Sequence, residues 1–170
     1  MEKGLIHIYC GDGQGKSTAL MGLSLRAAGA GKKVVLAQFL KDGSSSELAP
    51  LRGAGVELVP CPQVKKFVFQ MDAAEKAGLQ AQTLEMWRNA VSRPCDLLVL
   101  DELCGAISTG ILPEAEVLRF LKTKPEQLEV ALSGRDPSEE LCDLADYISE
   151  IRKVKHPYDR GVPARKGIEF

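Results

Sequence analysis

The chain is short of the residues that would place it in several large functional classes. It has only two histidines among 170 residues, and its five cysteines (Cys10, Cys61, Cys95, Cys104 and Cys142) are scattered with no C-x-x-C spacing. Zinc sites draw on closely spaced Cys and His pairs, and disulfide frameworks need ordered, even sets, so neither fits. An odd, dispersed set of thiols suits a reducing cytoplasm, which is the expected location. Net charge is −1, so no global field draws the chain to nucleic acid or to an anionic membrane. No apolar run approaches the roughly 20 residues of a membrane span, and no secretory signal precedes the first predicted strand. Aromatics are scarce at 5%, so any that fall on a loop call for an explanation. The remaining composition, 45% apolar and 26% charged, is ordinary for a globular chain of a length that fits one domain.

What the chain does have is the stretch LIHIYCGDGQGKSTALMGLSLRAAGA, residues 5–30. A short run of β-formers leads into Gly11-Asp12-Gly13-Gln14-Gly15, then Lys16-Ser17-Thr18 and an apolar segment of helical length. Strand, glycine loop and helix in that order form the setting of a phosphate-binding loop. Glycines let successive amides converge on an anion, and the helix N-terminus adds partial positive charge. Lys16 supplies a full charge to the phosphates and Ser17 a hydroxyl for a phosphate-bound Mg2+. The usual G-x-x-x-x-G-K-[ST] spacing would place glycine at position 10, where Cys10 stands, so the loop is one residue short. The plain alternative is a glycine-rich turn with a chance Gly-Lys-Ser.

Further strands are predicted at residues 33–39, 56–59, 95–100, 129–132 and 147–151, separated by helical patterns at 47–53, 72–92, from Pro113 onward and around Leu141–Ala145. Asp136 with Glu139 three residues on resembles a capping box. The near-continuous apolar character of the second strand suits one covered on both faces. The predicted fold is therefore α/β, a P-loop NTPase-like domain with a mainly parallel sheet of five to six strands flanked by helices. It spans residues 1–170, with 152–170 an irregular C-terminal segment.

Four groups of residues could carry chemistry. LLVLDE delivers Asp101 and Glu102 to a strand end, where a carboxylate can hold Mg2+ beside phosphates or, for Asp101, cap a helix. Arg135 follows another strand and can bind triphosphate oxygens or form a surface ion pair. Arg26, ten residues into the first helix, is a nucleotide contact or part of a solvated face. Phe67 and Phe69 form a wall for a flat apolar ligand or belong to the core.

Together these stretches resemble the P-loop ATP:corrinoid adenosyltransferases, which adenosylate cobalamin and cob(I)yrinic acid a,c-diamide. The resemblance runs through GDGQGKSTAL, RAAGAGKKVVLAQFLK, FVFQ, LLVLDELCGAI and SGRDPSEELCDLAD to KHPYDRGVPARKGIEF. It implies a reaction in which Co(I) attacks C5′ of ATP and expels triphosphate, in cobalamin biosynthesis or salvage. It further implies Mg2+ (with Mn2+ as an alternative), a flavoprotein reductant, a homodimer, and a nucleotide reversed relative to ordinary P-loop enzymes. On the residues that match, Gly11 to Thr18 would cradle the phosphates, Lys16 and Arg135 would neutralise the leaving group, and Ser17 and Glu102 would hold the metal. Arg26 would lie near the nucleotide. Phe67 and Phe69 would face the corrinoid and displace its lower axial ligand, which makes Co(II) easier to reduce. The family commonly has lysine where Gln14 stands and tryptophan where Phe69 stands. The segment that in some relatives helps cover a dimer partner's site does not precede the first strand here, which puts lid closure by that route in question.

Two other readings compete. A P-loop phosphotransferase or ATPase would use Glu102 to activate a hydroxyl or water and would release ADP. A non-catalytic nucleotide-binding subunit would account for the short loop without any reaction.

Overall fold

The computed structural model of the chain describes residues 3–169. Six strands form one sheet: β1 (Ile6–Cys10), β2 (Val34–Gln38), β3 (Glu57–Leu58), β4 (Leu97–Asp101), β5 (Glu129–Ser133) and β6 (Tyr147–Glu150). Their order is β3-β2-β4-β5-β1-β6 and every pairing is parallel. Because neighbours run the same way, all strand C-termini fall on one rim. Gln38 stands opposite Asp101 and Tyr9 opposite Ser133, so the polar residues that end β2, β4 and β5 are side by side there.

Helices cover both faces, and side-chain alternation along the strands decides which face each residue serves. On one face α1 (Lys16–Gly29) and α2 (Leu48–Gly53) bring Leu20, Met21 and Leu51 against Val34, Leu36, Leu97 and Val99. On the other, α3 (Ala73–Ser92), α4 (Leu103–Ser108), α5 (Glu114–Thr123) and α6 (Glu139–Leu144) pack Trp87, Leu103, Val117 and Leu141 onto Val35, Ala37, Leu98 and Leu100. β2 and β4 are buried at every position, as strands sandwiched on both sides must be. β6 is exposed throughout at its edge of the sheet.

The α3 start carries a reciprocal cap: Asp72 Oδ1 accepts from Glu75 N at 2.8 Å and Glu75 Oε2 from Asp72 N at 3.0 Å. Such a cap satisfies backbone donors that the first turn of a helix leaves unpaired. The cap expected at Asp136 is not formed. Ser138 holds that position instead, its hydroxyl accepting from Leu141 N at 3.1 Å. Helix α4 was not anticipated. It begins at Glu102, which holds a left-handed backbone (φ 59°), a conformation disfavoured for a residue with a Cβ.

Candidate active site

The C-terminal rim of the sheet collects the loop after each of five strands: Gly11 after β1, Lys41 after β2, Glu102 after β4, Arg135 after β5 and Ile151 after β6. In open α/β sheets this rim is where ligands bind.

The glycine loop is held by its neighbours. Gly11 N donates to Arg135 O at 3.0 Å and Gly13 N to Ile151 O at 2.8 Å. A methyl group on Gly11 (φ 103°) would lie 2.4 Å from Ile151 O, so the close approach of the segment after β6 excludes any larger residue there. Two of the loop amides are thus committed to protein carbonyls. The expected phosphate cradle, Gly11 to Thr18, narrows to the later part, where the first N–H groups of α1 have no carbonyl one turn back. Gln14 and Thr18 are exposed. Lys16 is 9% exposed and its Nζ donates to Gly13 O at 2.7 Å, curled over the loop it belongs to. Asp12 Oδ1 accepts from Lys153 N at 2.9 Å, and that backbone bond is the main reason its carboxyl sits below the usual range.

The centre of the rim is Asp101, fully buried at the end of β4. Its Oδ1 accepts from Ser17 Oγ and from Ser133 Oγ, both at 2.8 Å. Its Oδ2 accepts from Lys41 Nζ at 2.8 Å and Gln38 Nε2 at 3.2 Å. The carboxylate in contact with Ser17 is therefore Asp101, one residue before the Glu102 named from the sequence. Glu102 leans over α4, its Oε2 lying 3.1 Å from where a methyl group on Gly105 would sit. Burial raises the Glu102 carboxyl, Asp101 raises it further, and Lys41, Lys16 and Arg135 pull it back. Those last influences place Glu102 within the field of the same cations that face the loop.

Gly134 fixes the arrangement behind Arg135. A methyl group there would meet Cys104 Cβ at 2.2 Å, so β5 and α4 approach as closely as backbone permits. Arg135 itself is exposed, and no hydrogen bond or ion pair engages its guanidinium among the described residues. The surface-ion-pair reading of Arg135 thus finds no partner.

Arg26 is the one predicted site residue that the fold separates from the rest. It lies in the last turn of α1, about 15 Å along the axis from Lys16 by helical rise. It lines a cleft of about 590 Å³ with Lys3, Lys32, Asp96 and Glu129 at the opposite end of the sheet. Arg26 therefore stands at the far end of α1 from the loop, on a different cleft from the one that begins at Ser17.

Phe67 and Phe69 are not core residues. They are 70% and 80% exposed and stack on each other with centroids 5.4 Å apart and planes 10° from parallel. Phe67 lines a cleft of about 810 Å³ together with Ser17, Thr18, Leu40 and Lys41, and with Gly167, Ile168 and Glu169 of the C-terminal segment. The C-terminal segment, read from composition as irregular, is thus folded back as a wall of this cleft, steadied by Arg165–Glu169 pairing at 2.8 Å. Sequence reasoning missed Lys41, Ser133 and Gln38.

A family model described as ATP:corrinoid adenosyltransferase BtuR/CobO/CobP matches residues 2–170. The chain belongs to the ATP:corrinoid adenosyltransferase family. It is 36% identical to the corrinoid adenosyltransferase of Escherichia coli K12 and 35% identical to corrinoid adenosyltransferase CobA of Salmonella typhimurium LT2, covering 99% of this chain and 87% of each relative. The corrinoid adenosyltransferase of Pseudomonas aeruginosa PAO1 is 31% identical over 99% of this chain and 85% of its own length. Among solved structures, EssC (ATPases 2 and 3) from Geobacillus thermodenitrificans superposes with a TM-score of 0.51 at 15% identity. That match covers 99% of this chain but 36% of EssC, and at such identity it shows the ATPase-like fold alone. The family membership joins an ATP-using enzyme to the loop, the rim and the exposed phenylalanine pair already described. No helix among the described residues is long and apolar enough to cross a membrane.

Proposed function

We propose that residues 1–170 act as one P-loop α/β unit that transfers the 5′-deoxyadenosyl group of ATP to the Co(I) centre of a corrinoid, cobalamin or cob(I)yrinic acid a,c-diamide. The observation that carries this reading is the cleft of about 810 Å³ running from the phosphate loop at Ser17 to the exposed face of Phe67. It has room for a nucleotide at one end and an apolar wall for a flat macrocycle at the other. The Co(I) electron pair forms the bond to C5′ while the C5′–O bond breaks and triphosphate leaves with its electrons. The protein needs no base for this step. Its task is to position two substrates and to stabilise charge growing on the triphosphate. Lys16 and the amides that open α1 face that charge, and the unpaired guanidinium of Arg135 is free to join them.

The oxygen donors on the rim suit a hard divalent cation such as Mg2+ or Mn2+. Ser17 and Glu102 are the proposed ligands, and Asp101, which holds the Ser17 hydroxyl, faces the same cation position. Among the described residues no group of three or more His, Cys, Asp or Glu could hold a metal alone, so the phosphates would complete the shell. Bound there, the cation would supply electrostatic stabilisation of the leaving triphosphate. A flavoprotein reductant, a cytoplasmic location and a homodimer belong to the same reading. For the last, β6 leaves Tyr147 and Ile148 half-exposed on an edge strand suited to a second copy.

The test is product analysis after anaerobic incubation in the dark with Mg-ATP and chemically reduced cob(I)alamin. Triphosphate appearing in step with a light-sensitive alkylcobalt spectrum is the expected result. ADP and phosphate without a cobalt–carbon bond would establish the phosphotransferase instead.

Phe69→Ala removes one half of the stacked pair. It is expected to slow adenosylation starting from Co(II) with a protein reductant by at least ~10-fold, about 1.4 kcal/mol, while leaving the rate from pre-reduced Co(I) within a factor of about two to three. Equal losses in the two assays would remove the axial-ligand role and leave the pair as a binding wall.

A further inference from the structure

Lys41 was given no role by the sequence and yet reaches the centre of the site. After β2 the chain passes Phe39, 1% exposed, and turns at Leu40 with a left-handed backbone (φ 55°). Lys41 is thereby carried back over the rim. Its Nζ lies 2.8 Å from Asp101 Oδ2 and 3.4 Å from Ser17 Oγ. A hydroxyl at the loop and a carboxylate at a strand end are the pair between which a phosphate-bound cation is held in this type of site. The ammonium group stands where that positive charge would stand.

A second observation points to the same spot. Gln38 is 4% exposed, and its Nε2 is spent on Asp101 Oδ2 at 3.2 Å and Glu47 Oε1 at 3.4 Å. Its Oε1 is buried and has no hydrogen-bond partner among the described residues. An orphaned acceptor of this kind is costly unless a cation or an ordered water completes it. It lies on the side chain that steadies the same carboxylate oxygen as Lys41.

Two positive charges cannot share Asp101 Oδ2 without strong repulsion, because a buried carboxylate lies in a medium that screens poorly. Of the two partners, Asp101 is fully buried and fixed by three other donors, while the Lys41 side chain is 27% exposed and has somewhere to go. We propose that Lys41 is a tethered counter-ion of the metal position, neutralising Asp101 in the nucleotide-free protein and yielding that place to the divalent cation that enters with the triphosphate. The inference rests on the reading that Ser17 and the neighbouring carboxylates hold that cation. It makes metal entry conditional on nucleotide, so the protein does not collect divalent ions on its own.

The test measures Mn2+ binding by water-proton relaxation, with inorganic tripolyphosphate as the probe of the phosphate loop. In the unaltered protein, Mn2+ should bind only when tripolyphosphate is present. In Lys41→Met, Mn2+ without tripolyphosphate should bind at least tenfold more tightly than in the unaltered protein. A second measurement uses the unaltered sequence with 13C-dimethylated lysines, the Lys41 signal being assigned by its loss in Lys41→Arg. That signal should move when Mg2+ and tripolyphosphate are added together, and far less with tripolyphosphate and EDTA. An unchanged Mn2+ affinity in Lys41→Met, or a Lys41 signal indifferent to the metal, would overturn the exchange while leaving the metal site standing. Absence of protein-bound Mn2+ even with tripolyphosphate would remove the metal reading itself, and this inference with it.

Discussion

Lys16→Ala is expected to lower kcat/KM for adenosyl transfer by about 10²–10³-fold, equivalent to roughly 2.7–4 kcal/mol, the loss typical of one preorganised electrostatic donor. The loss should fall mainly on kcat, because charge on the triphosphate grows as the C5′–O bond breaks and Lys16 is worth most at that point. The structure also allows the chemical effect to be separated from a folding effect. Without nucleotide the ammonium's one hydrogen bond among the described residues is the 2.7 Å bond to Gly13 O within its own loop. Losing a hydrogen bond to a charged group costs ~1.5–3 kcal/mol at most, and less here if water reaches the freed carbonyl. A urea titration of the variant should therefore still show a cooperative transition, displaced modestly, while the rate collapses. Near-normal rates from pre-reduced Co(I) with saturating Mg-ATP would sink the assignment of this loop to the triphosphate.

The difference between what the chain's order disclosed and what only its folding discloses follows physical lines. The glycine loop was legible because strand, loop and helix are contiguous, and local chemistry suffices to place amides, lysine and hydroxyl together. The sheet was legible because period-two and fully apolar runs alternate with helical ones, and β4, fully buried in LLVLD, is the most apolar of them. Gln38 and Ser133 carried a usable signal, a polar residue closing an apolar run in VVLAQ and in the VALS of β5. That signal gains meaning only once β2, β4 and β5 are known to be neighbours in parallel. Lys41 carried none. Its place depends on a left-handed turn at Leu40, where no glycine marks the reversal. Arg26 was read as a nucleotide contact, and the ten residues of helix between it and Lys16 set it about 15 Å along the axis from the loop. Whether Asp101 or Glu102 faces Ser17 turns on the conformation of one residue. Glu102 takes a left-handed backbone with its carboxylate beside Gly105, and the carboxylate hydrogen-bonded to Ser17 is that of Asp101.

Asp101→Ala should be the most destabilising substitution on the rim, costing about 3–5 kcal/mol, the range for removing one partner of a buried ion pair. Four donors converge on this carboxylate, from Ser17, Gln38, Lys41 and Ser133. Ser133 and Gln38 are buried and cannot turn to solvent for replacement bonds, so each bears a desolvation penalty. Lys41 retains partial exposure and can rehydrate, which keeps the total toward the lower end. The midpoint of urea unfolding should fall without a change in slope, since the fold and the area it buries are unaltered. Adding Lys41→Met to Asp101→Ala should cost less than the sum of the single changes, with a coupling of roughly 1–3 kcal/mol, because the second change removes the charge that the first left unpaired. Mg2+ should restore none of the lost stability in Asp101→Ala, whereas it should restore part of it in Lys41→Met, where the carboxylate is still present to receive a cation. If Asp101→Ala unfolds within about 1 kcal/mol of the unaltered protein, the four-donor cluster is not held in solution, and with it would go the view that the rim is preorganised before nucleotide arrives.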